Sequence, residues 1–147
     1  GIRDYKVTGV QTCALPILGQ REPAIYGSLS YSELCTQITE WAKSLSLDVE
    51  ISQSDSETEI IQLLHRAADE KLPVIINPAA FTHYSYAIRD AVAMLKAPCI
   101  EVHLSNPLSR EEFRHTSVVS GVVNGTIAGF GIDSYLLALQ QIPKLVK

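Results

Sequence analysis

The run Ile100-Glu101-Val102-His103-Leu104-Ser105-Asn106-Pro107, followed by Arg110 and Arg114, carries the densest chemistry in this chain. An apolar strand ends there in hydrogen-bonding side chains, and open α/β sheets bind ligands just beyond the carboxyl ends of their strands. A histidine moves protons near neutral pH, and arginine forks pair with carboxylates. With a hydroxyl and an amide beside them, these groups suit a small, anionic, oxygen-rich substrate. Glu101 alternates outward from Val102. The spacing of Arg110 and Arg114 predicts a short helical turn that puts both on one face.

Two further segments are polar where a strand should stop. Asn77-Pro78-Ala79-Ala80-Phe81-Thr82-His83 leads into a helix that carries Arg89 and Asp90. The amide of Asn77 both donates and accepts. His83 reads either as a ligand contact or as a loop histidine at a helix entrance, and Asp90 reads as an ordinary surface charge. Gly19-Gln20-Arg21-Glu22-Pro23-Ala24-Ile25-Tyr26-Gly27 is rich in breakers, and glycines at both ends suit a lid. A neighbouring arginine favours the phenolate of Tyr26, making it a candidate base. The plainer reading packs Tyr26 beneath the loop and leaves Arg21 and Glu22 in solvent.

The elements that must position these groups alternate in type. Leu34, Ile38, Trp41, Ala42 and Leu45 share one face of a helix predicted over 31–45, with Ser28 and Ser30 as cap candidates. Residues 47–52 alternate as a strand. A second helix follows over 57–68, with Ile60, Ile61, Leu64 and Ala67 on its apolar face. Residues 73–76 form a wholly apolar strand of the kind covered on both faces. A helix over 85–95, a strand over 98–102, a short strand over 126–128 and a closing helix over 132–145 complete the pattern. Such alternation implies an α/β domain with a parallel sheet between helices. Its first strand should precede Leu18.

Residues 1–17 do not read like the rest. GIRDYKVTGVQTCALPI has no sustained period, two glycines and a late Pro16. It resembles a translated sequencing-library adapter: Gly-Ile-Arg-Asp, a two-codon index at Tyr5-Lys6, and a constant run from Val7 to Ile17, all in one frame. Residues 1–17 are then a non-native segment in place of the first strand, and residues 18–147 are a single domain.

Composition narrows the class. At 147 residues, 46% hydrophobic and 19% charged, the chain has enough apolar content for one domain with a real core. A net charge of −4 and the lack of a basic run argue against nucleic-acid binding. No apolar stretch approaches the roughly 20 residues of a membrane span, and nothing reads as a secretion signal, so the expected location is cytoplasmic. Cys13, Cys35 and Cys99 are odd in number and lack metal-site spacing, so neither a disulfide frame nor a zinc site is expected; Cys35 and Cys99 read as buried.

The three polar segments together resemble type II 3-dehydroquinate dehydratase. The likeness rests on Leu18-Gly19-x-Arg21-Glu22-Pro23-x-x-Tyr26-Gly27, on Ile76-Asn77-Pro78-Ala79-Ala80-Phe81-Thr82-His83-x-Ser85, and on Ala87-Ile88-Arg89-Asp90. It continues in Glu101-Val102-His103-Leu104-Ser105-Asn106 and Arg110-Glu111-Glu112-Phe113-Arg114-His115, with order and spacing kept from Leu18 to the C-terminus. The resemblance implies a flavodoxin-like three-layer sandwich with a central parallel sheet, and anti elimination of water from 3-dehydroquinate through an enolate in the shikimate pathway.

By matching position it implies Tyr26 as the base at C2, with Arg21 holding its phenolate and Arg110 adding to the same positive field. His103 is implied as the acid that protonates the departing hydroxyl. Asn77, the backbone at Leu104, and Ser105 are implied for the substrate carboxylate; His83, Arg114 and an Asp90 from a neighbouring subunit are implied for its ring hydroxyls. The resemblance also implies a homododecamer built from trimers. No metal or organic cofactor is expected, because the substrate's own carbonyl stores the charge.

One departure matters. The family carries Asn-Gly-Pro-Asn-Leu-Asn at the end of its first strand, and its later asparagine helps an ordered water stabilise the enolate. Ala14 stands there in this chain, so the chain as written is expected to be impaired. Ala79, where many members have glycine, is a lesser departure. The main alternative is a catalytically idle carboxylate-binding module on the same fold, which leaves a lid tyrosine beside arginine unexplained. A flavin or nucleotide binder should show a Ser/Thr/Gly-rich phosphate loop. A phosphoacceptor domain should show clustered acids, which Glu101 and Asp55 do not make.

Overall fold

Three helices begin at a serine whose side chain accepts from the first turn. The computed structural model describes residues 5–11 and 29–146. In α1 (Tyr31–Ser44), Ser30 Oγ accepts from the Glu33 amide at 3.1 Å while the Glu33 carboxylate accepts from the Ser30 amide at 3.0 Å, a reciprocal cap. Ser56 caps α2 (Glu57–Glu70) through the Glu59 amide, and Ser85 caps α3 (Tyr86–Ala93) through the Ile88 amide. Each such cap is worth about 1 kcal/mol. α4 (Asp133–Leu145) starts without one.

The strands are β1 (Tyr5–Gln11), β2 (Leu47–Gln53), β3 (Val74–Asn77), β4 (Cys99–His103) and β5 (Gly125–Ala128). They pair in parallel in the order β2-β1-β3-β4-β5. This is the flavodoxin-like order, with its switch point between β1 and β3. Strand alternation splits the core into two layers. Ile75, Ile100 and Val102 face one way, against Leu34, Ile38 and Ala42 of α1 and Ala138, Leu139 and Ile142 of α4. Val74, Ile76 and Cys99 face the other, against Ile60 and Leu64 of α2 and Ile88 and Val92 of α3. All four residues of β3 are buried, as a wholly apolar strand between two helical layers should be.

Several expectations change. Tyr5–Gln11, read as having no regular pattern, forms the strand that separates β2 from β3. Its Tyr, Val and Thr residues favour extended backbone, and two flanking strands supply every ladder partner, so tertiary pairing overrides the weak periodicity. Asn77 and His103 are the last residues of their strands rather than the first beyond them. Cys99 is buried, but Cys35 is only half-buried; Cys13 and Ser28 lie outside the described residues. Among the described residues no helix is long and apolar enough to cross a membrane.

Candidate active site

β4 delivers two ionisable residues on the same side, two positions apart. Glu101 shares the face of Cys99, pointing away from Val102 as alternation requires, but it does not reach solvent: its exposure is 0%. The 3-10 helix after β3, the end of β4 and the segment after β4 each supply a partner. Thr82 Oγ1 donates to Glu101 Oε2 at 2.6 Å, Ser120 Oγ donates to Oε1 at 2.7 Å, and His103 Nε2 lies 2.5 Å from Oε2. Burial pushes the Glu101 carboxyl up, but the hydrogen bonds from His103 and Thr82, the charge of a protonated His103 and the bond from Ser120 bring it below the ordinary carboxylate range. An ionised Glu101 fixes the Nε2 hydrogen of His103 and leaves Nδ1 for exchange with a bound molecule.

His103 opens into a cleft of about 240 Å³ shared with His83, Arg114, His115, Asn106 and Thr126. His83 closes the short 3-10 helix Ala79–His83, and its Nδ1 lies 2.7 Å from the Thr116 carbonyl. A carbonyl only accepts, so Nδ1 carries the hydrogen there and Nε2 accepts from a ligand hydroxyl when the ring is neutral. Arg114 sits in the 3-10 helix Glu112–His115, ion-paired to Glu111 through Nε. Its guanidinium lies 4.6 Å from the Phe113 ring centroid, and the same ring meets His83 edge-on at 5.6 Å. The cleft therefore holds a proton donor together with a guanidinium and an imidazole acceptor.

Other expected site residues lie around this cleft rather than in it. Asn77 is buried; its Nδ2 donates to the Tyr135 hydroxyl at 3.0 Å, and its Oδ1 accepts from the Ala79 amide at 3.1 Å. One Nδ2 hydrogen stays available. Burial pushes the Tyr135 phenol up, which keeps this partner neutral. The Leu104 carbonyl accepts from the Gly131 amide at 2.9 Å, and Arg110 Nη1 approaches Ser105 Oγ at 3.4 Å. Gly129 and Gly131 hold φ of 96° and 60° in the turn that brings their amides back onto His103 and Leu104.

Arg110 and Arg114 do not share a helical face. Arg110 has extended backbone between two separate 3-10 helices, so the four-residue spacing carries no facing relation. Asp90 is exposed on α3 and does not line the cleft, whereas Arg89 turns inward to the Val118 carbonyl at 2.7 Å. Tyr26, Arg21, Ala14 and the lid loop lie outside the described residues. No group of three or more His, Cys, Asp or Glu able to hold a metal occurs among the described residues.

Sequence reasoning passed over Glu101, Thr82, Ser117, Ser120 and Phe113. A signal for Glu101 existed: it is a carboxylate in the middle of an apolar strand of a sheet with helices on both faces, and such a group needs partners. For the serines there was none, because only the folded 116–122 segment brings them to it.

The family model described as Dehydroquinase class II matches residues 5–143. The chain is 52% identical over 126 residues to a 3-dehydroquinate dehydratase of Pelotomaculum thermopropionicum, covering 86% of this chain and 88% of that one. It is 46% identical over 143 residues to a 3-dehydroquinate dehydratase of Syntrophotalea carbinolica, covering 97% of each. The crystal structure of a type II dehydroquinase from Propionibacterium acnes superposes with a TM-score of 0.94 at 48% identity, over 96% of this chain and 97% of that one. With a family model matched over residues 5–143 and relatives about half identical along most of the chain, the protein belongs to the class II dehydroquinase family.

Proposed function

We propose that this chain is a hydro-lyase that removes water from 3-dehydroquinate to give 3-dehydroshikimate, a step of the shikimate pathway to chorismate and the aromatic amino acids. The observation that carries it is His103, held by a buried carboxylate at the end of β4 and opening into the cleft that Arg114 and His83 line. The proton beside a ketone is weakly acidic and hydroxide is a poor leaving group, so the reaction needs a base and a separate acid. Tyr26 is the base, with Arg21 and Arg110 supplying positive charge for its phenolate and the enolate, and His103 is the acid. Asn77, the Leu104 backbone and Ser105 hold the substrate carboxylate; the spare Nδ2 hydrogen of Asn77 supports this. His83 and Arg114 hold ring hydroxyls. The ketone stores the developing charge, which leaves no step for a cofactor.

Incubation with 3-dehydroquinate is expected to raise the ultraviolet absorbance of a conjugated enone. No rise from a folded protein carrying a family-type first strand would favour the idle carboxylate-binding module instead.

The same reading makes the protein a cytoplasmic homododecamer in which Asp90 of one subunit completes the site of another. In support, Asp90 lies on an exposed stripe of α3 between Tyr86 at 68% and Met94 at 59% exposure, an apolar surface suited to a second copy. Asp90→Asn is expected to lower kcat/KM by about tenfold or more, the cost of one charged hydrogen bond, with the sedimentation coefficient unchanged. Loss of the oligomer in that variant would point to an assembly role alone.

Residues 1–17 enter the same reading as a non-native, adapter-derived segment, followed by a single catalytic domain over 18–147.

A further inference from the structure

A chain of hydrogen bonds runs from the main chain after Thr116 to the ring of His103. The amides of Val119 and Ser120 both donate to Ser117 Oγ, at 3.1 and 2.9 Å. Ser117 Oγ lies 2.6 Å from Thr82 Oγ1, which lies 2.6 Å from Glu101 Oε2. That same oxygen is 2.5 Å from His103 Nε2, while Ser120 Oγ donates to Oε1 at 2.7 Å.

The direction of the two hydroxyl protons follows from valence. A hydroxyl has one hydrogen to give and two lone pairs. Two amides fill the acceptor positions of Ser117, so its hydrogen goes to Thr82. Thr82, accepting that hydrogen, gives its own to Glu101. Glu101 then meets a hydroxyl donor at each oxygen, and His103 Nε2 is the one neighbour that could take a hydrogen from a protonated carboxyl. The hydroxyl donors favour the carboxylate, which is acceptor-only, so His103 Nε2 donates. With Glu101 0% and Thr82 1% exposed, water does not substitute for a missing donor.

We propose that Ser117, Thr82 and Ser120 are positioning residues whose one-way donation holds Glu101 as a carboxylate and His103 in its Nε2–H form, so that the proton given to the substrate leaves from Nδ1. The last clause rests on the dehydratase reading; the tautomer assignment does not. In the reaction the C–O bond breaks as Nδ1 passes its proton to the departing oxygen, releasing water. The C2 proton goes to the Tyr26 phenolate, and His103 is left neutral with hydrogen on Nε2. The charged or titratable groups around the carboxylate are His103 and Cys99 on its own strand, His83 from the 3-10 helix after β3, Arg114 and His115 at the cleft, and Arg89 from α3 beside Val118. The depressed carboxyl agrees with the donor count.

The test is ¹⁵N NMR of histidine-labelled full-length protein, with pH profiles of kcat, for the parent, Thr82→Val, Thr82→Ser and Ser120→Ala. The parent is expected to show His103 as the Nε2–H tautomer. Thr82→Val keeps the shape and removes a donor, so the tautomer should become mixed. Its kcat should fall about tenfold with KM little changed. Fewer donors favour protonation of Glu101, so the acid limb of the profile should move up by about one pH unit. Ser120→Ala, which removes a half-buried side chain, should move it the same way, and Thr82→Ser should restore the parent behaviour. An unmoved tautomer and acid limb in folded Thr82→Val and Ser120→Ala would overturn the proposal, as would equal losses in Thr82→Val and Thr82→Ser. A tautomer shift without turnover in any protein, a parent carrying a family-type first strand included, would support the tautomer assignment and count against the dehydratase reading.

Discussion

His103→Ala is expected to lower kcat by about 10² to 10⁴, the usual contribution of a placed general acid, with KM changed far less. Three histidines line the cleft, and the prediction depends on choosing among them. The Nδ1 of His83 is spent on the Thr116 carbonyl, and His115 directs Nε2 to the Arg110 carbonyl at 3.1 Å. Only His103 has a carboxylate behind its ring, and a buried anion compensates the charge of an imidazole carrying its second proton. Carbonyl partners orient a ring without offering that compensation. Stopped turnover in His83→Ala with near-parental turnover in His103→Ala would reverse the assignment. Circular dichroism of each variant separates lost chemistry from lost fold.

How far all this could be read from residues alone depended on the range of the forces involved. Helix periods, serine caps and apolar strand runs are local, so α1 to α4 and β2 to β5 lie within a few residues of their predicted bounds. The flavodoxin-like sheet followed from the alternation and the resemblance together. Interactions set by chain return were not legible. Glu101 was seen to point away from Val102, but that it is covered depends on the path of residues 116–122. The Arg110–Arg114 pair failed because an i,i+4 argument presumes a continuous helix, and two 3-10 turns meet there instead. β1 was hidden for another reason: a central strand needs partners on both edges more than it needs a pattern of its own, and β2 and β3 provide them.

The proposed adapter origin of residues 1–17 bears on what the chain can do as written. A first segment of the family type, ending Asn-Gly-Pro-Asn-Leu-Asn-Leu and joined at Leu18, is expected to raise kcat by about 10² to 10³ over the chain carrying Gly1 to Ile17. The frame is already in place: Val7 is 0% exposed within the layer that holds Ile75 and Val102, and Gln11 stands in register with Asn77 at the switch point. Backbone pairing is indifferent to most side chains, so the slot can be filled even where the segment is adapter-derived, as proposed above. Chemistry at the strand's carboxyl end is not indifferent. On the resemblance, Ala14 stands in the sequence where the family has the asparagine whose amide supports water at the enolate oxygen, and alanine carries no side-chain hydrogen-bond donor. Ala14→Asn alone should recover part of the rate, and replacement of the whole segment the rest. Because the slot is filled in both proteins, the gain should exceed any change in thermal stability, and kcat and Tm measured side by side would show it. Native-like turnover from the unaltered chain would refute the argument. Equal, low rates before and after replacement would place the defect beyond Leu18, and the idle-module reading would then gain.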